Sequence, residues 1–358
     1  MQIEDQVSLD YDDVLIKPKR SILKSRKQVD ITRDLRFKWS GQDWSGVPII
    51  AANMDTTGTM HMFSSLERHD MPTALHKFYT KDQLVQFFNQ LSQGELSRVF
   101  YSLGMRDDDW DKFAAVWAEL PEKVRPRMVC IDVPSAYLET FVDFLKRFRD
   151  TYPSVTIMAG NVCTGEMTEA LVLAGADIVK VGIGPGSGCL TRRVAGVGVP
   201  QLTAVIDCAD AAHGLKGWIC ADGGIVHPGD LGKAFGGGAD FIMMGGVLAG
   251  HHECGGELFD ADGNPVGFDE PGPKFMKFYG MSSDEAMKKH YGGKANYRAS
   301  EGRSVIIPYK GMVSDTIEEY LGGLRSTMSY IGAERLKEIG RRITFVRVNR
   351  VLNTSLAK

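Results

Sequence analysis

The sequence predicts a (β/α)8 barrel, and three observations carry that prediction. Eight short apolar runs rich in β-branched residues recur along the chain, each followed by a segment of helical periodicity. The runs are apolar with little alternation, the pattern of parallel strands covered on both faces. Glycine clusters follow the last three runs, where barrels place their ligands. An open, doubly wound sheet is the alternative to closure.

The first strand is expected at 47–53 (VPIIAAN), followed by a helix at 58–69. The second is 73–78 (TALHKF), then a helix at 81–92. Strand 98–103 (RVFYSL) leads into helix 109–119, and strand 127–133 (RMVCIDV) into helix 135–150. Strand 155–161 (VTIMAGN) precedes helix 164–175, and strand 178–183 (IVKVGI) precedes helix 200–213. Strand 217–222 (GWICAD) precedes helix 228–237, whose start is marked by Pro228. Strand 240–245 (DFIMMG) is the eighth, and helices at 315–330 and 333–341 close the ring. One domain is expected over 1–358. Residues 1–46 form an N-terminal extension with a basic run from Lys17 to Arg26. Residues 250–313, rich in Gly, Pro and charge, form a long active-site loop or flap.

Composition bounds the function. Of 358 residues, 43% are hydrophobic and 24% charged, enough to bury a sizeable core. A net charge of −3 argues against a general nucleic-acid or membrane surface. Any anionic ligand must then be held by local devices. Six cysteines at irregular spacing, with no CxxC pair, fit a reduced intracellular protein. The acidic start MQIEDQVSLDYDDVL has no apolar signal-peptide core, and no apolar run is long enough to span a bilayer. A cytoplasmic location is expected.

The chemistry concentrates in three clusters: GIGPGSGCLTRR (182–193), Asp222-Gly223-Gly224 and Gly245-Gly246. Glycine lets backbone N–H groups approach an anion closely, so neighbouring clusters point to a phosphorylated ligand. The spacing is not a dinucleotide fingerprint. Asp222, at a strand end, suits the hydroxyls of a ribose better than the cap of a helix that starts later. Cys189 lies in the glycine loop with Thr191, Arg192 and Arg193 behind it, where a lowered pKa and a nucleophilic thiolate are expected. Cys130 and Cys220, in strands, and Cys208, on a helix, read as buried structural thiols. Cys163 begins a βα loop. His251-His252-Glu253-Cys254 matches no standard zinc spacing and reads as a solvated loop. Glu301 alone reads as an ordinary loop carboxylate.

The string GIGPGSGCLTRRVAGVGVPQLTAVIDCADAAHG resembles the active-site loop and following helix of the IMP dehydrogenase/GMP reductase family. The resemblance continues, in order, through IIAANMDTTGT, IMAGNVCTGEM, ADGG, FIMMGGVLAGH, YGMSSDEAMKK, YRASEG and LGGLRSTMSYIGA. It implies a phosphate-binding barrel that takes a purine mononucleotide and a nicotinamide cofactor. The reductase branch fits better than the dehydrogenase branch. There is no room for the dehydrogenases' regulatory insert, Glu301 stands where they resemble Gln-Gly, and their Arg-Tyr flap is missing. The branch implies irreversible, NADPH-dependent deamination of GMP to IMP and ammonia, in purine salvage, through a thioimidate on Cys189, with Thr191 and Glu301 moving the proton. Alternatives are an IMP dehydrogenase lacking its insert and a non-catalytic purine-nucleotide-binding barrel.

The resemblance also implies the remaining roles. Ser187, Gly223, Gly224, Gly245 and Gly246 hold phosphate, and Asp222 the ribose. Gly280, Met281, Ser282, Arg298, Ala299, Ser300, Glu301 and Gly302 surround the nucleotide. Cofactor contacts come from Lys77, Asp132, Val133, Pro134, Gly184, Tyr297 and Arg298. Ser25, Arg26, Ser326, Thr327, Met328 and Ser329 reach a neighbouring subunit's cofactor in a homotetramer. A potassium ion sits among the carbonyls of Gly184, Gly186, Cys189 and Arg192. Two departures stand out. The family's Val-Cys-Thr-Thr is here Gly188-Cys189-Leu190-Thr191, and its Asp-Val-Ala-Asn-Gly is Asp132-Val133-Pro134-Ser135-Ala136.

Overall fold

The computed structural model describes residues 3–293 and 299–349. Its centre is a closed barrel of eight parallel strands: β1 (Ile49–Ala51), β2 (Thr73–Ala74), β3 (Val99–Leu103), β4 (Met128–Asp132), β5 (Thr156–Val162), β6 (Ile178–Val181), β7 (Trp218–Asp222) and β8 (Phe241–Met244). The ring closes through β8 onto β1, with Ile242 level with Ile49 and Met244 with Ala51. The open-sheet alternative is excluded.

Helices α1 (Met60–Leu66), α2 (Lys81–Gln90), α3 (Asp107–Glu119), α4 (Glu139–Thr151), α5 (Gly165–Leu173), α6 (Gln201–Gly214), α7 (Pro228–Gly236) and α8 (Val313–Ile331) follow the strands in turn. Side-chain alternation sorts each strand between two cores. Ile49, Val129, Ile157, Val179, Ile219 and Ile242 face the helices. Ile50, Phe100, Cys130, Met158, Ile178, Cys220 and Phe241 face inward. The hairpin of Arg33–Arg36 and Asp43–Gly46 plugs the N-terminal end, adding Leu35, Phe37 and Trp44 to the inner core. The inward parity continues upward through Asp132, Lys180 and Asp222, so the inner face turns polar at the C-terminal mouth.

Boundaries differ in places. The second strand stops at Ala74, because the chain then turns with the Phe78 N–H on Nδ1 of His76. The helix expected at 135–150 starts at Glu139, and the second closing helix is reduced to a 3-10 turn, Leu336–Glu338, and Ile339–Arg342. The largest difference is at 250–313. Strands Leu258–Phe259, Phe275–Tyr279 and Ser304–Pro308 form an antiparallel sheet there, with helix Asp284–Tyr291 beside it. The run His251–Cys254 is not a solvated loop. His251 is fully buried between the Leu248 carbonyl and Thr316, Glu253 accepts from the Val313 N–H, and the Cys254 thiol donates to Leu248. It seats the start of α8 on the barrel.

Candidate active site

The loop after β6 carries Cys189 into the barrel mouth. Gly184, with φ +85°, turns the chain where only glycine sits without strain, and a Cβ there would meet Arg192. The Cys189 thiol lies 3.2 Å from the Thr191 hydroxyl, which donates to Oε2 of Glu301 at 2.7 Å. Glu301 comes from the sheet-bearing flap, far away in sequence. The two segments are pinned by backbone bonds, Leu190 N–H to the Glu301 carbonyl at 2.6 Å and Arg303 N–H to Gly188 at 3.0 Å. Arg303 Nε also donates to the Ser187 carbonyl at 2.7 Å.

The departure at Gly188 has a structural correlate. A Cβ there would sit 3.3 Å from the Gly280 backbone and from the Phe278 ring, so the missing side chain lets the flap lie close on the loop. Arg192 is not aimed at the thiol. Its guanidinium pairs with Asp10 at 2.8 Å and donates to the Val199 carbonyl. The expected help of Arg192 to the thiolate is therefore spent on the N-terminal extension. Cys189 is half-buried, whereas the other five cysteines are buried. Burial pushes the Cys208 thiol up to about 12 and the Cys254 thiol up to about 11.

The glycine clusters converge as a cradle. A Cβ on Gly246 would strike the Ser187 hydroxyl, and one on Gly223 would sit 3.1 Å from the Gly186 N–H. Gly223 and Gly224 both have φ above +80°, so their turn is built for glycine. Ser187, Gly223, Gly224, Gly245 and Gly246 thus come together, beside Asp222. Gly280, Met281, Ser282, Ala299, Ser300 and Gly302 lie on the flap side. The Ser300 hydroxyl bonds the Gly302 carbonyl, and Gly302 packs on the backbone of Ser283.

Sequence reasoning missed a polar network below this cradle. The Lys180 ammonium, its side chain 4% exposed, bridges Asp132 at 2.8 Å and Asp222 at 2.7 Å. Asn161 donates to the same oxygen of Asp222 and to the Gly182 carbonyl, and Asn53 donates to Asp132. Burial opposes the charge on Lys180, but the two carboxylates outweigh it and hold its pKa well above the ordinary lysine value. The signal was present: Lys180 is the one charged residue in the apolar run IVKVGI. Oδ1 of Asp222 has no hydrogen-bond partner among the described residues and remains open to a ligand.

Of the residues expected to meet a cofactor, Asp132, Val133 and Pro134 sit at the mouth end of β4. Lys77, past β2, makes a long 3.5 Å pair with Asp109. Ser25 and Arg26 belong to a 3-10 turn packed against α8, where Thr327 meets Gly232 of α7. Ser25 and Arg26 are exposed and Ser326, Thr327 and Ser329 half-buried, but Met328 is fully buried in the core between α8 and the barrel and presents no surface to a neighbour, contrary to expectation. Tyr297 and Arg298 lie outside the described residues. Among the described residues no cluster of metal-ligating side chains occurs, and no helix is long and apolar enough to cross a membrane.

The IMP dehydrogenase / GMP reductase domain family matches residues 8–353. A protein of Aeromonas salmonicida (strain A449) named GMP reductase is 52% identical over 358 residues, covering 100% of both chains. One of Salmonella paratyphi C (strain RKS4594), also named GMP reductase, is 54% identical over 358 residues, covering 99% of this chain and 100% of its own.

Proposed function

The chain belongs to the IMP dehydrogenase/GMP reductase family, and from that premise we propose that it converts GMP to IMP and ammonia at the expense of NADPH. The observation that carries the reading is the Thr191 hydroxyl, held between the Cys189 thiol at 3.2 Å and the Glu301 carboxylate at 2.7 Å. A nucleophile, a proton carrier and a titratable partner are then in line.

Ser187 and the glycine cradle hold the GMP phosphate, and Asp222 takes the ribose hydroxyls through its open oxygen. The Cys189 thiolate adds to C2 of the guanine. The proton that the Cys189 thiol gives up passes through Thr191 to the Glu301 carboxylate, and as the C2–N bond breaks it returns through Thr191 to the departing ammonia. The purine is left joined to Cys189 as a thioimidate. A reduced nicotinamide supplies, when bound, the hydride that replaces sulfur at C2. The Cys189 thiolate is thereby released for the next cycle.

The cofactor's residues fit their task. The Lys77 ammonium, only loosely paired with Asp109 at 3.5 Å and on a side chain 27% exposed, has the chemistry to meet a phosphate, and Asp132, Val133, Pro134 and Gly184 edge the same mouth. Ser25 and Arg26, exposed beside the half-buried Ser326 and Ser329, suit contact with a neighbouring subunit of a homotetramer. The carbonyls of Gly184, Cys189 and Arg192 accept no hydrogen bond among the described residues, while that of Gly186 accepts only the Cys189 N–H. Such free carbonyls suit a hard monovalent cation, and potassium is the ion we assign there.

Nicotinamide absorbance with GMP plus NADPH, and separately with IMP plus NAD, tests the reading. Oxidation in the first mixture and silence in the second are expected. The reverse result identifies a dehydrogenase, and silence in both identifies a binding protein.

A further inference from the structure

Two of the contacts between the described part of the flap, 258–293 and 299–308, and the barrel mouth bear on the nucleophile. One is the Cys189 loop, through Leu190, Arg303 and the Gly188–Gly280 contact. The other is Asp55, in the loop after β1. A single oxygen of Asp55, Oδ2, accepts from the Tyr279 hydroxyl at 2.6 Å and the Lys289 ammonium at 3.0 Å. Nε2 of His290 lies 2.6 Å from the same oxygen and carries its proton there. All three donors belong to the flap, from strand Phe275–Tyr279 and helix Asp284–Tyr291. The acceptor belongs to the barrel. The His290 ring also lies flat on Phe78, at 3.5 Å between centroids and 9° between planes.

This is a costly way to hold a flap if adhesion is all that is needed. The Asp55 side chain is 4% exposed, and its Oδ1 is buried without a hydrogen-bond partner among the described residues. A buried charge in a pair adds little net stability over apolar packing, but it fixes direction. The direction matters here. Tyr279 is followed by Gly280, which packs on Gly188, the neighbour of the nucleophile. Across the sheet Tyr279 pairs with Ser304, just downstream of Glu301.

We propose that Asp55 is a positioning residue for the reaction: by docking Tyr279, Lys289 and His290 it sets where the flap presents Glu301 to Thr191 and Cys189. The role of Glu301 rests on the functional reading above, whereas the docking does not. Asp55→Asn keeps the volume and removes the charge that gathers three donors. Tyr279→Phe removes one of the three bonds to Asp55, together with the bond that Lys289 gives the Tyr279 hydroxyl, and leaves Lys289 and His290 on the carboxylate.

The experiment has two readouts on the full chain. The first is the rate at which iodoacetamide alkylates Cys189, followed by peptide mass spectrometry, with the five buried cysteines as internal controls. Looser docking opens the flap locally, and a rise of about tenfold is expected for Asp55→Asn, less for Tyr279→Phe. The second is turnover of GMP. In Asp55→Asn kcat should fall on the order of 10- to 100-fold, the scale for a displaced catalytic group, with a smaller change in KM. Unchanged alkylation in variants of native circular dichroism overturns the proposal. So does faster alkylation with unchanged kcat. If Asp55→Asn does not fold, Tyr279→Phe decides by the same readouts. If the unsubstituted enzyme fails to turn over GMP, the functional reading falls, and faster alkylation would still support the docking.

Discussion

Cys189, Thr191 and Glu301 form a chain of polar atoms in which each is useful only through the next. A threonine hydroxyl is a poor acid or base near neutral pH, so it needs the carboxylate behind it. Glu301→Gln keeps the reach and loses the titrating group. Ammonia release measured by stopped flow should slow on the order of 10²–10⁴-fold, the usual range for a lost general acid or base. Thr191→Ala combined with Glu301→Gln should be little worse than the poorer single variant, because the two act as a unit. Additive losses would separate them. Cys189→Ala should abolish turnover and leave GMP affinity within about tenfold, or about 1.4 kcal/mol, by calorimetry. On the proposed reading affinity comes from the cradle and Asp222, which this variant does not touch. Near-normal turnover would remove Cys189 from the mechanism. Lys180 is the residue whose loss should be felt as stability. Lys180→Met would leave Asp132 and Asp222 without their shared cation, each still held by one asparagine and partly exposed, and a loss of about 1–3 kcal/mol in urea unfolding is expected. A loss within about 0.5 kcal/mol, as at an ordinary surface site, would show that water replaces the ammonium.

At the scale of elements, the barrel plug offers a pH test. Asp240, at the start of β8, accepts from Arg33 of the plug hairpin at 3.2 Å, the Ile219 N–H at 3.0 Å and the His213 ring at 2.8 Å. The Asp240 hydrogen bond raises the His213 pKa despite burial. A raised histidine contributes stability that is fully present below its unfolded pKa of about 6.5 and fades as pH rises through the folded value. The melting temperature should fall above that point, and His213→Gln should flatten the fall. The effect is small because the His213 side chain is 40% exposed. An identical pH profile in the variant would contradict it. The same elements show why some features were legible and others were not. The barrel strands are short apolar runs that need no partner to be recognised. The flap strands are short, interrupted by GNPVGFDEPGPK, and defined only by pairing with one another. Cys189 stood out by its glycines. Lys180 and Asn161 did not, because their role depends on inward parity in a closed barrel. His251 and Glu253 looked solvated because their partners, Thr316 and Val313, lie in a helix much later in the chain.

For the whole molecule, the barrel is a frame that brings neighbouring strand ends to one mouth, and the flap returns over it to place Glu301 on Thr191. The surface bearing Ser25, Arg26, Ser326 and Ser329 should complete the cofactor site of a neighbour on the proposed reading. Sedimentation should therefore report a tetramer, and Arg26→Glu should raise KM for NADPH more than KM for GMP. A fully active monomer would refute that arrangement. The account turns on a purine bonded to sulfur during turnover. The most direct measurement is peptide mass spectrometry of enzyme quenched in acid while turning over GMP with NADPH. The account predicts a purine adduct on Cys189 and on no other cysteine, absent when Cys189 is replaced by alanine. Steady turnover with no adduct in enzyme quenched across the approach to steady state, or an adduct on a different cysteine, would contradict it.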